Sequence, residues 1–144
     1  MNARHEDFVI RSFLEKDEEQ VITLWREAFS NDPPWNEPAQ IIRRKLEVQR
    51  DLFLVGQIDG AVVATVIAGY DGFRGWVYHL AVASEQRRKG FGRAMMAEVE
   101  KKLRALGCPK INLQVRAWNA DVIAFYERLG YKVDEHTGMG KLLD

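Results

Sequence analysis

The chain has 144 residues, 47% of them hydrophobic and 29% charged, a composition that excludes a disordered tail or a fibrous repeat and leaves enough length for one well-buried core. Lys and Arg number 21, as do Asp and Glu, so the domain-wide basic excess of a duplex-DNA binder is missing. Cys108 is the only cysteine and no apolar run reaches membrane-spanning length, nor a signal-peptide core within "MNARHEDFVI"; disulfides, a cysteine zinc site and a membrane anchor are therefore not expected, and residues 1–144 read as a single cytoplasmic domain.

Phe8 to Phe13 ("FVIRSF") reads as a strand closed by a charged break. From Asp17 to Ala28, Val21, Leu24, Trp25 and Ala28 recur at three- and four-residue spacing, the buried stripe of a helix. "NDPPWNEP" (Asn31 to Pro38) interrupts it with three prolines that forbid helix continuation and force an ordered or lid-like loop, after which helical spacing resumes over Ile41 to Val48. Leu52 to Ile58 and Ala61 to Tyr70 are β-rich runs joined at Asp59-Gly60, a hairpin signal. "GWVYHLAV" (Gly75 to Val82) should be a central strand. From Gly90 the spacing of Ala94, Met95, Ala97, Val99 and Leu103 predicts a helix ending at Gly107, with Pro109 as a stop. "KINLQV" is predicted as a strand, Asn119 or Ala120 to Leu129 as a helix ending at Gly130, and "YKV" and "MGKLL" as two last short strands. The order β, α, α, β, β, β, α, β, α, β, β implies an α/β or α+β sheet with helices on its faces.

One stretch carries chemistry. In "SEQRRKGFGRAMM", Arg87, Arg88 and Lys89 run into Gly90-Phe91-Gly92 where a helix begins, an arrangement suited to an anion. A P-loop needs Gly-Lys-Ser/Thr after four residues, which the chain lacks; the dinucleotide fingerprint would place Met95 in its third glycine position. Arg/Gln-x-x-Gly-x-Gly/Ala between a strand and a long helix is satisfied by Arg87, Gly90 and Gly92. There the first amides of the helix converge on one point with the positive end of its dipole, and glycines let the backbone come close. Arg93 adds to the local charge. A solvated basic helix start with two flexible glycines is the plainer alternative.

"LAVASEQRRKGFGRAMM" resembles the acyl-CoA pyrophosphate loop of the GNAT superfamily of N-acetyltransferases, and "NADVIAFYERLGYK" (Asn119 to Lys132) resembles that family's following helix, with Asn at its start, Tyr on its last turn and Gly-aromatic after it. "PWNEP", "LFLV", "GYDG" and "GCPKI" are similar to the YpeA-like branch. The resemblance implies a mixed, mostly antiparallel sheet of about seven strands with four helices, acetyl-CoA as co-substrate, no metal, and transfer of an acetyl group to a primary amine by direct attack. By the same resemblance, Arg87, Arg88, Lys89, Gly90, Gly92 and Arg93 hold the pyrophosphate. Leu80 and Val82 offer main-chain groups to the thioester and pantetheine arm and stabilise the oxyanion. Asn119 touches that arm, or caps its helix; Tyr126 is the general acid, or packs its helix. A free phenol at about 10 and a thiol at about 8.5 make full proton transfer to the thiolate uphill by about 2 kcal/mol, so a hydrogen bond matters more.

The base and the acceptor side stay open in the sequence. His79 has a suitable intrinsic pKa, but strand alternation places it on the face opposite Tyr78 and Leu80 unless a bulge intervenes. Asp32, Glu37 and Asp71 border the amine pocket or merely form turns, and Trp35 lines that pocket or anchors its loop. Cys108, remote from any base, is not expected to act as a nucleophile. Two rivals remain: an acyl-CoA-binding module acting through a partner, and an RNA binder, which would need interleaved exposed aromatics that the basic loop lacks. The expected partners are acetyl-CoA and an unidentified amine, with a homodimer left open.

Overall fold

The apolar runs of the middle of the chain pair as their turn signals require. In the computed structural model, which describes residues 7–143, β1 (Phe8–Ser12), β2 (Phe53–Ile58), β3 (Ala61–Tyr70), β4 (Gly75–Val82) and β5 (Ile111–Leu113) form one sheet in that order. The first four strands pair antiparallel and β5 lies parallel to β4. Asp59 and Gly60 have φ of 51° and 80° between the paired Ile58 and Ala61, the two left-handed residues of a type I′ hairpin. The N-terminal stretch that lacks a signal core lies partly in residues 1–6, outside the described residues.

The described residues form four helices: α1 (Glu18–Ala28), α2 (Pro38–Leu46), α3 (Phe91–Ala105) and α4 (Ala120–Arg128). Pro38 begins α2 rather than blocking it, so the helix starts upstream of the expected Ile41. A proline in the first helical position loses no hydrogen bond, and the Glu37 side chain caps the amide of Gln40. A short 3-10 turn, Pro34–Asn36, fills the loop before it. At the start of α1, buried Asp17 accepts the amide of Leu14 and two bonds from the Arg11 guanidinium at 2.7 and 2.8 Å; that guanidinium holds its carboxyl below the usual range.

The residues up to Leu113 form one compact unit and those from Gln114 another. In the first, the two faces of the sheet are covered differently. Phe53 stacks on Trp25 of α1 at 5.8 Å and on Phe13 at 4.4 Å. Its neighbours in alternation turn the other way: a Cβ at Gly56 would run into the ring of Phe8, which itself stacks on Phe91 of α3 at 4.2 Å, and would meet Met95 of α3 at 3.2 Å. Both faces being buried, β2 and β3 read as continuous apolar runs instead of alternating ones. Gly75, under α3, similarly leaves room for the Cys108 thiol, which donates to the Lys110 carbonyl.

In the second unit, α4 is closed by Gly130 at φ 96°, with Tyr131 N donating to Tyr126 O and Gly130 N to Glu127 O, both at 3.0 Å. This is a Schellman motif, and it explains why Gly and an aromatic residue follow the helix.

The expectation of about seven strands is corrected to five in the described residues. "KINLQV" pairs only over Ile111–Leu113, and neither "YKV" nor "MGKLL" forms a strand. Val133, Met139 and Leu143 are 74%, 94% and 89% exposed. Strand stability comes from cross-strand neighbours, and runs this short, one broken by Gly140, do not specify any.

Candidate functional site

A fault in β4 organises the site. Tyr78 pairs with Ile67 and Ala81 with Thr65, so β4 advances by one more residue than β3 and bulges opposite Val66. His79 occupies the bulge with φ 53°, a left-handed conformation uncommon for a residue with a side chain. The alternation resets there. His79 lies against α1, its ring centroid 4.7 Å from that of Trp25 and 4.7 Å from that of Phe29. Tyr78 shares that side, since it pairs with Ile67, which pairs in turn with Phe53, the ring stacked on Trp25. The expected placement of His79 opposite Tyr78 is thus reversed.

At the bulge the carbonyl of His79 meets the side chain of Thr65. The Thr65 hydroxyl donates to that carbonyl at 3.1 Å and accepts from the indole N–H of Trp25 at 2.8 Å. A fully buried threonine in an apolar strand is thereby explained, since its hydroxyl both donates and accepts. On the outer edge, β5 pairs with β4 only over Gly75–Val77. From Tyr78 to Val82 no strand neighbours that edge among the described residues, and Leu80 and Val82 lie on this stretch.

Beside His79 is a pocket of about 340 Å³ lined by Trp25, Phe29, Asp32, Pro33, Glu37 and His79 among others. His79 Nε2 is 3.6 Å from Asp32 Oδ2, an oxygen that also accepts from the Asn36 amide at 3.4 Å. Burial pushes the imidazole below its ordinary value and the Asp32 carboxylate pulls it back up; burial dominates, so the ring is neutral at neutral pH. Glu37 pairs with Arg26 at 3.5 Å. Trp35 is 54% exposed and does not line the pocket. Asp71 does not either: its carboxylate accepts the amides of Phe73 and Arg74 at 2.8 Å each, an Asx turn whose bonds hold it below the usual range. The structure thus joins Asp32, Glu37 and His79 and leaves Trp35 and Asp71 apart from them. The contributions of Trp25, Phe29 and Thr65 were not foreseen; the only local trace was one threonine in an otherwise apolar strand.

At the end of β4 the chain makes a 3-10 turn, Ser84–Gln86, and enters α3 through Arg88 at φ 65° and Gly90 at φ 82°. Gly90 takes this left-handed conformation at no steric cost, and Arg88 takes it despite its side chain. Left-handed residues alternating with ordinary ones curl successive N–H groups toward one side, the geometry of an anion-binding nest, and the first turn of the long α3, which includes Gly92, adds its own amides. Two of the basic side chains brace the turn: Arg87 Nε donates to the Val82 carbonyl at 3.2 Å, and Lys89 Nζ to the Gln86 side chain at 2.9 Å.

In the second unit, Asn119 caps α4, its side chain accepting the amide of Val122 at 3.3 Å. Tyr126 is 9% exposed, with edge contacts to Phe125 and Tyr131 at 5.0 and 5.6 Å, and burial pushes its phenol up to about 12.

The profile of the acetyltransferase (GNAT) family matches residues 18–131. An acetyltransferase of Yersinia enterocolitica is 46% identical over 134 residues, which are 93% of this chain and 94% of the relative. Among solved structures, Ard1 from Thermoplasma volcanium superposes with a TM-score of 0.79 at 26% identity, covering 89% of this chain and 84% of its own. The ribosomal-protein-S18-alanine N-acetyltransferase from Escherichia coli does so with a TM-score of 0.71 at 25% identity, covering 85% and 76%.

Proposed function

Because this chain belongs to the GNAT acetyltransferase family and is therefore an acyltransferase, we propose that it moves the acetyl group of acetyl-CoA to a primary amine by direct attack. The observation that carries this reading is the continuity of β4 with α3: one strand supplies a bulged, unpaired edge and leads directly into a turn whose backbone is shaped for an anion. Acetyl-CoA would supply the activated thioester and a pyrophosphate by which to hold it. The positive φ at Arg88 and Gly90, the amides opening α3 and the basic Arg87, Arg88, Lys89 and Arg93 fit that pyrophosphate.

In this reading the chain's own groups divide the work. Main-chain groups of Leu80 and Val82 orient the acyl arm and meet the oxygen that gains charge as the amine adds, the largest electrostatic contribution in acyl transfer. Arg87 holds the Val82 carbonyl and so fixes the turn relative to β4. Asn119 keeps the start of α4 in place and touches the pantetheine arm. Tyr126 is the acid. With its phenol held near 12, complete transfer to a thiolate of ordinary basicity would be uphill by about 5 kcal/mol, so Tyr126 acts as a protonated hydrogen-bond donor to the departing sulfur.

No helix among the described residues is long and apolar enough to cross a membrane, and the single cysteine suits the reducing cytosol in which acetyl-CoA would be used. The Escherichia coli neighbour, named for a protein alanine, makes a peptide amino terminus one acceptor class to try. Calorimetry with acetyl-CoA and thiol release with an alanine-terminated peptide, lysine and spermidine test the proposal. Binding together with amine-dependent thiol release is the expected result. Binding without release from any of them would favour a binding module, and no binding would overturn both.

A further inference from the structure

An amine acceptor reaches any protein at neutral pH as an ammonium ion, and neither the turn nor Tyr126 can neutralise it. His79 is placed to do so. Its ring is held between Trp25 and Phe29, its backbone is pinned through Thr65, and its Nε2 faces Asp32 in the pocket beside α1. The side chains of His79 and Asp32 are 15% and 23% exposed, so both can be reached from solvent. The bulge turns this ring toward the pocket while the outer edge of β4 runs unpaired from Tyr78 on, so acceptor and thioester can be served by consecutive residues, His79 and Leu80.

Resting on the acetyltransferase reading, we propose that His79 is the base that takes a proton from the acceptor's ammonium group, and that Asp32 is the positioning residue that orients the ring and stabilises the imidazolium it becomes. An N–H bond of the ammonium breaks, its electron pair stays on the substrate nitrogen, and a new N–H bond forms on the imidazole. The positive charge moves onto His79 beside the Asp32 carboxylate, and the proton then passes to bulk water. The neutral amine attacks the thioester carbonyl and the C–S bond breaks. The second surplus proton of the attacking nitrogen ends on the departing sulfur, so one proton is released per turnover.

The other groups around the pocket do not compete for this role. Glu37 is engaged by the Arg26 guanidinium, and Asp32 by the His79 ring and the Asn36 amide. Thr65, from β3, is neutral and already engaged on both sides. Two carboxylates and aromatic faces, with Arg26 the only cation among the lining residues, suit an ammonium ion before it is deprotonated. The sign of the pH dependence follows. The base form of His79 is lost as pH falls through its pKa. Asp32 raises that value, so removing Asp32 moves the loss of activity to lower pH.

The test is kcat/KM for spermidine, lysine and an alanine-terminated peptide at saturating acetyl-CoA, from about pH 5 to 8, with thiol release as readout. In the wild type the rate should fall on the acid side. His79→Gln should lower it by about 10²- to 10⁴-fold and abolish the acidic limb, while acetyl-CoA binding by calorimetry is unchanged. Asp32→Asn should move the limb to lower pH at a smaller cost in rate; lying in the loop after α1, it tests the idea even if His79→Gln loosens the packing of Trp25, which a thermal melt will show. A folded His79→Gln enzyme with wild-type rate and profile, or an Asp32→Asn limb that stays in place or moves up, overturns the proposal and leaves the acetyltransferase reading intact. No thiol release from wild-type protein that binds acetyl-CoA overturns that reading, and the assignment of His79 with it.

Discussion

The turn between β4 and α3 and the pocket beside α1 lie at two places along the same strand, yet they are built from different materials. The turn is made of backbone: Arg88 and Gly90 take left-handed φ values, amides open a helix, and Arg87 and Lys89 brace the curve from within it. The pocket is made of side chains drawn from segments far apart in sequence, with Trp25, Phe29, Asp32 and His79 meeting only in three dimensions. A site of the first kind is local and charged, and it tolerates change in the core. A site of the second kind depends on core packing, because the groups that place His79 are themselves core residues.

The contrast can be broken most severely at Trp25. This residue is 1% exposed and both packs on Phe53 and holds Thr65. Trp25→Ala should cost about 3–5 kcal/mol in denaturant unfolding and disturb the titration of His79 followed by NMR. The folded fraction should still bind acetyl-CoA as the wild type does. A matching loss of acetyl-CoA affinity would show that the two regions are not separable.

Tyr126 sharpens the contrast between His79 and a second buried titratable group. Burial favours the neutral form of both, which leaves an imidazole free to accept a proton and a phenol able to donate a hydrogen bond. Tyr126→Phe should lower kcat by about 10²-fold or more with little change in acetyl-CoA affinity. Because the phenol's value is raised to about 12, its donating form persists as pH rises, and no alkaline limb due to Tyr126 should appear in the wild-type profile below about pH 10. An unchanged kcat, with chemistry shown to be rate-limiting, would return Tyr126 to a packing role.

At the turn, Gly90 sits at φ 82°, where any side chain is strained by about 1–3 kcal/mol and a carboxylate would also repel an anion. Gly90→Glu should weaken acetyl-CoA binding by about 100-fold or more, near 2.7 kcal/mol, with the His79 titration unaltered. Retained affinity would remove the turn from the site. The smallest effect is expected for Arg88→Gly, which keeps the left-handed backbone and deletes only the charge. Affinity should fall by less than about tenfold, and the deficit should shrink as salt rises because the charge is exposed to screening. A larger, salt-insensitive loss would mean that the side chain makes a direct bond.

Gly75 to Val82 illustrates how far the sequence reached and where it stopped. The boundaries of β4 are those expected from its apolar run, yet the face of its histidine depended on whether a bulge intervenes, and one does. The run states that a strand exists, because β propensity and flanking turn residues are local properties. The bulge needs β3 alongside, Thr65 to meet the His79 carbonyl and Trp25 to hold Thr65, and no window of β4 contains them. The loop after α1 shows the same limit: Asp32, Asn36 and Glu37 line the pocket beside His79 and Trp35 does not, a choice set by the 3-10 turn Pro34–Asn36 and the entry into α2.

The helices, the four long strands, the hairpin at Asp59-Gly60 and a glycine-bearing turn into a helix at Arg87 to Gly92 were legible from local rules that act within a few residues: the periods of helix and strand, positive φ at glycine, and free amides at a helix start. Only the tertiary structure decided that the sheet has five strands in the described residues, that Asp71 is consumed by its own turn, and that Asp32 comes to within 3.6 Å of His79. These depend on partners distant in the chain, and a register shift of one residue is enough to send a side chain to the other face of the sheet.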